Sequence, residues 1–168
     1  LLNSTNLLFS NTAIAQTKAS VKVLARPQKD KILLRWATTT PLSWKLSNQY
    51  GFIVERYTVT RDKKILQQPE KKIISNTPFK PQPLDNWKTL AEKDNYAAVM
   101  AQAIYGKDFE FSGGDNKGLT KIINQANELE QRFSLSLYAA DNSFEAAKLA
   151  GWAYEDNDVK QNEKYLYR

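Results

Sequence analysis

Between residues 20 and 66 the apolar positions recur at every second residue, the spacing of strands that bury one face. Val21 and Val23 alternate with Lys22, and Arg26-Pro27 with the polar residues 28–31 break the pattern. Ile32, Leu34 and Trp36 then share one strand face, with Leu33, Arg35 and Ala37 on the other. Residues 38–49, with Pro41, read as a loop. After it, Phe52, Val54 and Arg56 share a face opposite Ile53 and Glu55, and Tyr57-Thr-Val-Thr60 extends the strand. Asp62-Lys63 is a hairpin tip before Ile65-Leu66. The expected core here is Ile32, Leu34, Trp36, Phe52 and Val54, joined by Tyr165 from the far end of the chain.

The period then changes. Residues 67–84 carry Pro69, Pro78, Pro81 and Pro83 and read as an extended linker. Asp85 is placed to cap a helix running to Tyr105, with Trp87, Leu90, Ala91, Ala97, Ala101, Ile104 and Tyr105 as its stripe and Gly106 as its stop. Residues 107–118, with Ser112-Gly-Gly-Asp-Asn116, read as a loop. A second helix over about 119–140 carries Ile122, Ile123, Leu129, Phe133 and Leu137, and a third, short one follows the caps Asn142-Ser143. This middle section, residues 85–151, is expected to be a helical insertion that packs its own core and supplies binding specificity. A long insertion is costly to order otherwise.

The strand segments resemble a known family. Lys31-Ile-Leu-Leu-Arg-Trp36 and Tyr50-Gly-Phe-Ile-Val-Glu-Arg56 look like strands B and C of a fibronectin type III domain, with Val21–Val23 in the place of strand A and Ile65-Leu66, after the hairpin tip, in that of C′. Val159, followed after five residues by Tyr165, has the spacing of that family's tyrosine corner, in which a tyrosine hydroxyl bonds back to the main chain. Gln161-Asn162 stand where many members have Pro-Gly, and Asn also accepts a positive φ. Tyr165-Leu-Tyr-Arg168 resembles the opening of strand F. The resemblance covers residues 18–66 and 152–168. It implies an α+β chain: an incomplete fibronectin type III-like β-sandwich with a three-helix insertion between the C′ and E/F regions. It further implies a fragment of a larger multidomain protein, ending before the last strand. The division that follows is 1–16, 17–84, 85–151 and 152–168.

Chemistry narrows the function from the other side. The 168 residues contain no Cys and no His, which removes disulfides, thiolate and imidazole ligands, and the usual Ser-His and Cys-His catalytic pairs. Ala13-Ile14-Ala15 before Gln16 fits a signal-peptide cleavage site, so residues 1–16 read as a partial leader and the chain as secreted or displayed at a cell surface. No apolar run reaches the roughly 20 residues that span a bilayer. The net charge is +6, with Arg61, Lys63, Lys64, Lys71, Lys72 and Lys80 in one loose stretch, but neither an aromatic ladder nor a phosphate loop accompanies it. No nucleic-acid partner is expected.

Two acidic groups invite a calcium reading: Asp115-Asn116 beside Gly113-Gly114, and Asp156 with Asp158. Both read better as turn residues. Glu92, Asp94, Glu128, Glu130 and Glu145 lie on polar helix faces, and no spacing selects a hydrolytic pair from them. Trp36 is core, Trp87 continues a helix stripe, and Trp44, in the expected loop, is the indole most available for a sugar face or a protein interface. The sequence therefore nominates no catalytic, cofactor-binding or metal residue and requires no cofactor. It reads as a non-catalytic interaction or spacer module with a protein or polysaccharide ligand and flanking domains of the same polypeptide. An accessory module of a secreted carbohydrate-active enzyme and a binder of anionic polymer through a basic face are the alternatives.

Overall fold

The structure is a computed structural model and describes residues 18–107 and 118–168, with nothing said of the side chains of 118–123. Its strands are β1 (Val21–Pro27), β2 (Ile32–Thr38), β3 (Glu55–Arg61), β4 (Lys64–Ile73), β5 (Ala153–Asp156) and β6 (Glu163–Tyr167). They form two antiparallel sheets, ordered β1-β2-β5 and β4-β3-β6. The helices are α1 (Pro41–Tyr50), α2 (Lys88–Ala91), α3 (Asn95–Tyr105), α4 (Gly118–Asn142) and α5 (Phe144–Leu149), with a 3-10 turn at Leu84–Trp87. The class is α+β, as the change of period implies.

The β-register follows the alternation read from the sequence. Val23 pairs with Trp36 and Leu34 with Tyr154, so these side chains share the inner face of the first sheet. Leu34 and Trp36 are buried there against Val54, which leads into β3 of the second sheet. Ile32, Phe52 and Tyr165, expected in the core, are only half-buried: Ile32 opens β2, Phe52 lies before β3 in an isolated bridge to Phe79, and Tyr165 is on the edge strand β6. The hairpin tip falls at Asp62-Lys63, whose φ values of 48° and 64° match a two-residue turn of the primed type.

Three expectations fail, each for a physical reason. The segment 38–49 is not a loop: Thr40 caps α1 by accepting from Ser43 N–H, Pro41 occupies the first turn, and Gly51 ends the helix at φ 81°. The linker expected from residue 67 begins only after Ile73, since β4 pairs with β3 as far as Glu55↔Ile73 and tolerates Pro69 on its outer edge. The helix expected over 85–105 breaks in two, because Asp94 is extended and caps α3 by accepting from Tyr96 and Ala97 N–H.

The helices build the larger apolar cluster. Trp44, Trp87, Met100, Phe133 and Trp152 are buried among Ala97, Ala101, Ala139, Ala140, Ala146 and Ala147, small residues that let α3, α4 and α5 approach closely. Bonds tie this layer to the first sheet. Trp36 Nε1 donates to Gly151 O (3.1 Å), and Arg35 Nη1 donates to Ala140 O (2.7 Å) while its other terminal nitrogen pairs with Asp141. The order from one side to the other is helices, first sheet, second sheet.

Candidate functional site

Between the inner faces of the two sheets lies a charged tie that the apolar pattern did not reveal. Arg56 on β3 is buried, as is Asp156 on β5, and the two pair across the sheets at 2.9 Å. Arg56 also donates to the main-chain oxygen of Asp158 (2.6 Å) and to its carboxylate (3.0 Å), and its guanidinium lies 4.9 Å from the centre of the Tyr165 ring. Burial opposes the Arg56 charge, but the bonds to Asp156 and Asp158 outweigh it and hold its pKa above the ordinary value. Asp158, bonded first to Lys72 and then to Arg56, is pulled down to about 2. Tyr167 donates to Asp156 at 2.8 Å; its phenol is raised by burial first and by that carboxylate second. The tie thereby fixes the ring of Tyr167 in place.

That ring forms part of a groove. A cavity of about 410 Å³ opens on the β1/β6 side, walled by Val21, Val23 and Trp36 from the first sheet, by Tyr167 from the second and by Phe52, Ile53 and Val54, which lead into β3, with Arg168 also lining it. Among the described residues β6 is the edge of the second sheet, and Val21 is 48% exposed, Val23 41% and Ile53 52%. Apolar side chains grouped in this way mark a contact surface more often than an isolated exposed residue does. Sequence reasoning found these residues as strand faces but not as a groove.

A second cavity, about 850 Å³, is bounded by α1, Lys80-Pro81, the end of α3 and α4, and Trp44 forms part of its wall. Trp44 is 4% exposed, so its indole packs in the helical cluster and is not the free stacking surface expected of it. Helix α1, unforeseen, is what turns it inward. Trp87 is buried with its Nε1 donating to Gln82 O (2.9 Å), the core role expected.

The acidic residues are scattered. Asp94 caps α3 and accepts from Ser143 Oγ (2.6 Å), Glu128 pairs with Arg132, and Glu145 with Lys148, while Glu92 and Glu130 are exposed. Asp156 serves the turn after β5 as expected, accepting from Asp158 N–H (3.2 Å), in addition to its pair with Arg56. Asp115-Asn116 lie outside the described residues. Among the described residues no group of three or more acids could hold a metal ion, and no helix is long and apolar enough to cross a membrane. Half of the basic stretch is neutralised locally: Arg61 pairs with Glu70 and Glu163, Lys71 with Glu55, and Lys72 with Asp158.

Compared with protein-family models, with curated proteins and with solved structures, the chain matches none.

Proposed function

We propose that the chain is a non-catalytic interaction and spacer module of a larger exported or cell-surface protein, built as a fibronectin type III-like sandwich. The observation that carries the functional part is the apolar groove between β1 and β6: among the described residues its ionisable side chains are Tyr167 and Arg168, so it is suited to binding and offers no acid-base pair for chemistry. The family part is supported by strand order. With β1 to β6 read as A, B, C, C′, E and F, the orders β1-β2-β5 and β4-β3-β6 are those of the corresponding strands of such a sandwich, with α2 to α5 between C′ and E and α1 between B and C. Tyr165 agrees, its hydroxyl accepting from Lys160 N–H at 2.7 Å across the turn before β6.

The two alternatives have less to rest on. A sugar-binding accessory role drew on Trp44, which is buried, and an anionic-polymer role drew on basic residues that are half ion-paired. The reading is tested by assaying the purified chain for glycosidase, esterase and phosphatase activity alongside capture from panels of extracellular proteins and glycans. Binding that is lost on Val23→Glu supports it. Turnover abolished by one carboxylate substitution overturns it.

A further inference from the structure

The cavity of about 850 Å³ beside α1 shares no lining residue with the groove, and its volume falls in the range of roughly 300–1,000 Å³ that holds small ligands. Two side chains one turn apart on α1 form part of its wall, and each carries a buried polar atom with no hydrogen-bond partner: the indole N–H of Trp44, a residue 4% exposed, and the amide oxygen of Asn48. Buried donors and acceptors are nearly always bonded, so such a pair on one wall calls for a cause. The opposite wall is held in place. Arg132 on α4 pairs with Glu128 and donates to the main-chain oxygens of Ala103 (2.8 Å) and Gly106 (2.6 Å), which ties α4 to the end of α3.

Charge and polarity define what fits. Lys45 and Lys80 line the cavity and, among the described residues, have no ion-pair partner, unlike Lys71 and Lys72. Gln49, Gln125 and Glu128 add amides and a carboxylate that match hydroxyl groups, while Pro81, Ile104 and Leu129 give apolar surface for C–H faces. The last residues of α3 line the same cavity and carry the negative end of the helix dipole, which favours a single carboxylate over a doubly charged phosphate. We propose that this cavity binds an acidic sugar, a hexuronate unit of a short glycan, with its carboxylate on Lys45 and Lys80 and its hydroxyls on the amides of α1 and α4. Trp44 then serves as a hydrogen-bond donor in the wall and not as a stacking face. The site goes beyond the reading above, which rests on the groove.

The test is a titration of the isotope-labelled 168-residue chain followed by NMR at its indole N–H and side-chain amide signals, with trigalacturonate as probe and neutral galactotriose as control. Trigalacturonate should shift the Trp44 Nε1–H and Asn48 amide signals saturably and leave the Trp36 Nε1–H, bonded to Gly151 and lining the groove, unchanged. Lys45→Gln with Lys80→Gln, at exposed positions, should weaken binding roughly tenfold or more without lowering the melting temperature. Val23→Glu, in the groove, should leave the affinity as it is. No shift at Trp44 with trigalacturonate overturns the proposal, and so do an equal response to galactotriose and an affinity untouched by the lysine substitutions. The same shifts from sodium acetate at equal concentration would show an anion held without the sugar and overturn it too. A shift at Trp36 in place of Trp44 would move the sugar to the groove. Because Val23→Glu separates the two sites, the groove reading and this one fail separately.

Discussion

Asp156 is the residue on which most depends, because it receives Arg56 from the opposite sheet and Tyr167 from the groove wall. Replacing it with Ala leaves a buried guanidinium without its main partner, and we expect a loss of about 3–5 kcal/mol in urea denaturation. Trp36→Ala, which empties a core site and removes the bond to Gly151, should cost about the same. A pH prediction follows from the same tie. Asp158 has its pKa depressed from 3.8 to about 2, so its contribution is complete above pH 3.8 and is lost as pH falls through about 2. Glu155 and Glu163 are also depressed, by Lys31 and Lys148 and by Tyr165 and Arg61, which extends the acid-sensitive window up to the ordinary glutamate value of 4.5. Tyr167 acts in the opposite direction: with its pKa raised, its contribution is complete below pH 10 and is lost as pH rises further. Denaturation midpoints across pH should therefore be flat from about 5 to 9 and fall on both sides, and Asp158→Asn should flatten the most acidic part of the curve.

Elements were legible in proportion to how much their signals are local. The β2 and β3 faces and the tip at Asp62-Lys63 follow from period and turn chemistry, and β6 from the resemblance of its residues to strand F, so all four were found. Helix α1 was missed because Leu42 and Leu46 lie outside and Trp44 inside, which gives no clean amphipathic stripe. The bracket of Thr40-Pro41 and Gly51 was the available signal. The Arg56–Asp156 pair joins residues 100 apart in the chain and had no sequence signal. The junction from α5 into β5 gives a prediction of its own. Gly151 has φ 73°, and a Cβ there would lie 2.7–2.8 Å from the Lys80 main chain, so Gly151→Ala strains the backbone and also pushes on a segment with little room to give. We expect a lowered melting temperature. The matching control is Lys63→Gly at the exposed hairpin tip, where φ is 64°; this should stabilise by up to about 1 kcal/mol.

At the scale of the molecule the open issue is whether the helices are an ornament on a sandwich or its foundation. The sheets share a small buried apolar set, Leu34, Trp36 and Val54, whereas residues 85–151 contribute most of the other cluster, which also takes in Trp44 of α1 and Trp152-Ala153 at the entry to β5. Arg35 and Trp36 are bonded to main-chain oxygens of residues 140 and 151, so the outer face and one end of β2 are completed by the helical segment. Replacing residues 85–151 with a short Gly-Ser linker would expose Trp44 and Trp152 and leave the apolar set of Leu34, Trp36 and Val54 to oppose the ordering entropy of six strands. We expect the shortened chain to give no cooperative thermal transition and a far-UV spectrum without strand signal. A chain that instead melts cooperatively would show that the two sheets stand alone, and residues 85–151 could then be read as a grafted recognition element.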